Sequence, residues 1–240
     1  MNGITFLENL FRETFFFREL FYKPLLNGLI WLYDTVALQD LGMAIILLTV
    51  AVRLIIYPLF HQGIKYQRAI QQLHPELAKI KTKHKKDREA QTKATLELFQ
   101  QYKLNPLTPF LSLLVQLPVF LVLYVIFISD FTETLEPWLY SFTPRVGELN
   151  ETFLGFIDLK EVSPALAVLT ALTQYLQGRL TLTTATTPAM KLMMIYFLPG
   201  VILVALFNFP AALGLYWLTT TVFSIIQQVV VNRRFPASSK

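Results

Sequence analysis

Apolar side chains concentrate in five stretches, 41–60, 107–128, 163–182, 190–209 and 211–231, separated by segments rich in charge. A helix needs roughly 20 residues to cross a hydrocarbon core, and each stretch meets that length. The pattern predicts five transmembrane helices. Little more than Phe209-Pro210 marks the boundary between the last two, which therefore form a tight hairpin. Pro58, Pro109, Pro118 and Pro199 are expected to mark kinks or span ends, because neighbouring helices can satisfy the carbonyls that proline frees.

The intervening segments carry a second pattern. In residues 61–106, Ile70, Leu73, Leu77 and Ile80 recur at helical spacing, as do Ala94, Leu98 and Tyr102. Lys83-His84-Lys85-Lys86-Asp87 between them suits a turn, so a helical hairpin outside the membrane is expected. Residues 1–40 contain Phe15-Phe16-Phe17 and an apolar run from Leu25 to Val36, interrupted by Asn27 and Asp34. That run is too short and too polar to span, and predicts an amphipathic helix lying in the interface. Glu8 and Glu13 occupy the place of a basic n-region, so no signal peptide is expected there.

Charge orients the helices. Residues 61–106 hold ten Lys/Arg against four acids, whereas residues 129–162 hold two against seven. The positive-inside rule places the first segment in the cytoplasm and the second outside. The N-terminus is then outside, and the tail 232–240, with Arg233 and Arg234, is cytoplasmic. A bacterial plasma membrane fits best, since the low Ser and Arg content of the N-terminal segment is unlike an organellar transit peptide. Composition agrees: 54% of the 240 residues are hydrophobic and 15% charged, where a soluble domain carries about 25% charged residues.

Arg53 is the sharpest single feature, because no acid occurs within the five stretches. An arginine near a helix centre costs roughly 2.5–3.5 kcal/mol on insertion scales. It could snorkel toward cytoplasmic headgroups about 11 Å away, or sit in water with polar partners. Polar stripes bear on that choice. Thr49, Arg53 and Tyr57 share one face of the first span, and Ser112 and Gln116 one face of the second. Thr170, Thr173, Gln174 and Gln177 share a face of the third, and Tyr216, Thr220, Ser224 and Gln227 a face of the fifth. Buried glutamines should meet one another or water rather than lipid. Four striped helices predict a wet concavity around Arg53.

Enzymatic chemistry is not expected. His61, His74 and His84 lack metal-ligand spacing, cysteine is absent, and no carboxylate lies at membrane depth for acid–base work. No phosphate loop or Gly-rich fingerprint is present. Neither cofactor nor metal is implied.

Six segments, in order, resemble the YidC/Oxa/Alb insertase family. They are Ala44 to Pro58 around Val52-Arg53-Leu54; Asn105-Pro106-Leu107 running into Gln116-Leu117-Pro118-Val119-Phe120; Thr173-Gln174-Tyr175-Leu176-Gln177; Pro188 to Met194; Phe209-Pro210 to Tyr216-Trp217; and Ser224 to Gln228. The resemblance implies an all-α integral membrane protein with a five-helix YidC-like core, whose groove opens to cytoplasm and lipid and is closed outside. The family's groove arginine maps onto Arg53. The expected substrate groove is Arg53, Gln116, Thr170, Gln174, Gln177, Tyr216, Thr220 and Ser224. Expected partners are nascent membrane proteins and the lipid bilayer, with the ribosome and the Sec translocon as candidates for residues 61–106; no specific nucleic-acid sequence is implied. The expected activity is insertion of client segments without ATP. A small-solute channel or carrier, and a non-inserting assembly factor, remain as alternatives.

Overall fold

A computed structural model of the chain describes residues 14–85, 87–105, 108–128, 136–147, 149–181 and 191–234. It is mostly helical. The helices are α1 (Lys23–Thr35), α2 (Leu41–Ile55), α3 (Tyr57–Gln72), α4 (His74–Lys83), α5 (Arg88–Gln101), α6 (Thr108–Ile128), α7 (Pro164–Thr181), α8 (Leu198–Leu206) and α9 (Ala211–Arg234). Helix α9 packs on α2, α3, α6, α7 and α8, and so forms the centre of the bundle. By length and composition, Ala211–Val230 is apolar enough to cross a membrane as one continuous helix. The stripe of Thr, Gln and Arg179 on α7 lowers its hydropathy, although it has 18 residues.

The prolines act in different ways. The first expected span, 41–60, is not one continuous helix. It breaks at Ile56 (φ −90°, ψ 7°), and α3 leaves at 59° to α2. Pro58 offers no N–H to the carbonyl of Leu54 and its ring crowds that turn, so Leu59 N–H reaches the nearer Ile56 O at 3.1 Å. Pro118 stays within α6. Pro24 and Pro199 each follow a wide turn, Arg18–Tyr22 and Met193–Phe197, in which bonds reach five residues back: Lys23 N–H to Arg18 O and Leu198 N–H to Met193 O. Widening the helix moves the carbonyl four residues before each proline away from its ring.

Helix α1 is held deep against α2 and α6. Tyr22, Leu26, Leu29 and Ile30 are fully buried in the main core with Ile45, Val122, Leu123 and Leu213. Burying each such aliphatic side chain from water stabilises by about 1.5–3 kcal/mol. Asn27, a polar interruption in the sequence pattern, lies on the packed face at 3% exposure. Its Oδ1 accepts from Tyr140 N and Thr143 Oγ1, both at 2.6 Å, and its Nδ2 donates to Lys23 O and Trp138 O at 2.8 and 3.1 Å.

That side chain is one of several pins that hold residues 136–162 onto the end of the bundle. Tyr33 Oη accepts from Asn150 N at 2.8 Å. Asp40 caps α2 through Oδ1, which accepts from Met43 N at 2.8 Å, while its Oδ2 accepts from Leu154 N at 2.7 Å. The second bond helps hold Leu154 at φ 53°, a left-handed conformation unfavourable for a branched side chain. Leu154 and Gly155 turn a short antiparallel ladder, β1 (Thr152–Phe153) against β2 (Ile157–Asp158). The Phe153 ring lies on Gly42, where a Cβ would come within 2.3 Å of it. Ala211 N and Ala212 N donate to Glu161 O and Leu159 O, so the loop also satisfies the first donors of α9.

At the other end, α4 and α5 pack on each other. Leu73 and Leu98 are buried there, and Tyr102 Oη donates to Glu76 Oε1 at 3.2 Å. That bond to a carboxylate raises the Tyr102 phenol above its ordinary value. Asp87, in the charged stretch expected as a turn, caps α5 by accepting from Ala90 N at 2.9 Å.

Candidate functional site

A cavity of about 520 Å³ opens among α2, α3, α6, α7, α8 and α9, many times the ~30 Å³ that a liquid water occupies. Helix α2 contributes Arg53, α6 Gln116, α7 Gln174 and Gln177, and α9 Tyr216, Thr220, Thr221, Ser224, Gln227 and Gln228. Seven of the eight residues expected from sequence therefore line one space. The eighth, Thr170, does not. It is fully buried between α7 and α9, its hydroxyl donating to Leu166 O at 2.7 Å and lying 3.3 Å from Gly214 O. Thr49 and Thr173 likewise bond back to their own helices, at Ile45 O and Leu169 O, and do not line the cavity. The Ser112 side chain lies outside the described residues.

The lining is organised by amide and hydroxyl contacts. Gln116 Nε2 donates to Tyr216 Oη, tying α6 to α9. Thr221 Oγ1 donates to Trp217 O at 2.9 Å and lies 3.3 Å from Gln174 Oε1. Gln227 Nε2 donates to Tyr57 O at 3.5 Å, beside the break between α2 and α3. Apolar side chains fill the remaining wall: Ile64, Leu117, Phe120, Met194, Leu198 and Trp217. Phe120 meets both Trp217 and Phe209 edge to face, with centroids 5.8 and 6.2 Å apart.

Arg53 is 5% exposed, so its side chain is enclosed by the bundle rather than extended out of it. Among the described lining residues there is no carboxylate, and Arg53 is the one cation among amides and hydroxyls. The break at Ile56 matters here. It ends α2 two residues after Arg53 and leaves the cation in the last turn, where carbonyl dipoles favour positive charge by about 0.3–1 kcal/mol.

The cavity occupies one half of the bundle. On α9 its lining runs from Tyr216 to Gln228, whereas Ala211–Leu215 are buried in the core. Ile45, Leu48, Val122, Leu123, Leu213 and Leu215 form part of the apolar core near loop 136–162. Sequence stripes missed Thr221, Gln228 and Gly178, because the cavity is wider than one helical face. An isolated glycine within α7 was the available signal for Gly178. A Cβ there would lie 2.5 Å from Met194 O, so glycine is what lets the two backbones meet at the cavity wall.

Relatives share most of this chain. One named "Membrane protein insertase YidC" from Geobacter metallireducens is 34% identical over 216 residues, 90% of this chain and 37% of that protein. Another of that name from Anaeromyxobacter sp. is 36% identical over 219 residues, 90% of this chain and 37% of its own length. A third, from Oceanobacillus iheyensis, is 36% identical over 217 residues, 85% of this chain and 80% of its own length. The chain thus spans little more than a third of the first two relatives and most of the third. The family described as 60Kd inner membrane protein matches residues 31–238, which include every lining residue of the cavity, and the chain belongs to that family.

Proposed function

We propose that the chain is the membrane core of an insertase, which moves client transmembrane segments from the cytoplasm into the bilayer. One observation carries the reading: a polar cavity whose described lining encloses the cation Arg53, with packed apolar core between it and the loop at the other end of the bundle. The names of the relatives support the same activity, and none describes an enzyme. In this reading five spans cross a bacterial inner membrane, the first bent at Ile56. Residues 61–106 form a cytoplasmic hairpin, residues 129–162 face outside, and the N-terminal helix lies at the outer interface. The polar part of a client enters the cavity from the cytoplasm, and Arg53 attracts its carboxylates. The client's apolar helix then passes into lipid, and hydrophobic transfer drives the step. The lining lowers the barrier by replacing water around the polar segment with amides and hydroxyls. No cofactor or nucleotide takes part. The basic hairpin is the surface offered to a ribosome or the Sec translocon. A solute channel would need a path through the packed core on the outer side.

Insertion of a small single-span client into liposomes, with and without the purified protein, tests the activity. Protease-protected client should accumulate only with the protein, and equal protection in both reactions would reject the insertase reading. Topology is checked separately in this cysteine-free chain. With an impermeant thiol reagent on intact cells, Gly147→Cys should label and His84→Cys should not; the reverse pattern would invert the orientation.

A further inference from the structure

The helices on either side of residues 182–190 carry a second cation, outside the cavity. The close approach of Gly178 to Met194 fixes their register. Antiparallel continuation then sets Arg179 and Lys191 within about one helical turn of each other. The same contact brings Tyr175 and Tyr196 together, ring centroids 6.3 Å apart. Arg179 Nη1 donates to Tyr175 Oη at 2.9 Å, with the guanidinium carbon 5.8 Å from that ring's centroid. Gln177, Gly178 and Thr181 line the cavity and Arg179 does not, so the guanidinium lies on the outer side of α7. Leu172, Leu176, Leu180, Leu192, Tyr196 and Phe197 around it are each 40% to 63% exposed. Neither helix carries an acid.

The geometry points to a binding site for the phosphodiester headgroup of an anionic phospholipid. The proposal rests on the membrane placement given above. An arginine that only balanced the C-terminal dipole of α7 would need no phenol partner. Here Tyr175 takes one N–H and holds the planar fork in one orientation, which lessens the entropy lost when the remaining N–H groups grip phosphate oxygens. Lys191 adds a second positive charge for the phosphate, while the exposed leucines and Tyr196 lie along its acyl chains.

Native mass spectrometry of the protein in mild detergent, titrated with phosphatidylglycerol or phosphatidylcholine, tests this. The protein should hold one phosphatidylglycerol about tenfold more tightly than phosphatidylcholine. Arg179→Gln should abolish that preference, Arg179→Lys should lose most of it because an ammonium is no fork, and Tyr175→Phe should fall between. An unchanged thermal transition would show that the variants fold; should Arg179→Gln not fold, Arg179→Lys and Tyr175→Phe carry the comparison. Excess inorganic phosphate should leave the lipid bound, and its displacement would overturn the lipid assignment. Equal phosphatidylglycerol affinity in the protein and the folded variants would overturn the site while leaving the membrane placement standing. A protein that binds neither phospholipid would likewise overturn the site, and the cysteine labelling above tests the membrane placement separately.

Discussion

Arg53→Ala should lower insertion of clients with acidic translocated segments by about tenfold or more, while the fold survives. At close range and an effective dielectric near 20, a guanidinium attracts a carboxylate by up to about 4 kcal/mol, and each 1.4 kcal/mol is a factor of ten. The alanine removes a charge that is 5% exposed, in a cavity whose described lining holds no carboxylate. Thermal unfolding in detergent checks that the variant still folds. Arg53→Lys should keep much of the activity, since a polar cavity needs a cation more than a fork, and Arg53→Glu should be worse than alanine for acidic clients. Protease-protected client, measured at matched protein levels across an acidic and a neutral client, gives the readout. Equal insertion of the acidic client by the alanine variant would end the electrostatic mechanism. It would leave the family assignment untouched, which rests on residues 31–238 as a whole.

Asn27→Ala should destabilise the protein more than any change on the exposed face of α1. It strips the acceptor from Tyr140 N and Thr143 Oγ1, and Thr143 is itself 4% exposed. Leaving a buried donor unsatisfied costs about 1–3 kcal/mol, so two of them approach the lower end of a domain's total stability of about 5–15 kcal/mol. Asn27→Asp should fall between, because it keeps the acceptor oxygen, loses the donations to Lys23 O and Trp138 O, and buries a charge. Thermal unfolding in detergent, with proteolysis of residues 136–162 as a local probe, measures both effects. A transition for Asn27→Ala that matches the unaltered protein, with the loop still protected, would show that the anchor is not needed.

The apolar stretches, a disturbance of the helix near Pro58 and most of the cavity lining were legible in the sequence, because each depends on local chemistry. Hydrophobicity over 20 residues needs no partner to be read. A proline removes its hydrogen bond wherever it stands. Glutamines 116, 174 and 177 are costly in lipid and had to share a polar space, so helical spacing alone gathered them around Arg53.

Other features depended on what each helix meets. Thr170 has the spacing of a groove residue but faces the carbonyl of Gly214, because α7 packs on α9 through that side. Thr221 and Gln228 lie off the predicted stripe, yet a cavity bounded by six helices admits more than one face of the central one. Asn27 read as a polar flaw in an interfacial helix, and tertiary structure made it an anchor by bringing residues 138–143 to it from more than a hundred positions away. A side chain's polarity is written in the sequence. Whether it meets water, lipid or a distant backbone donor was decided only by packing.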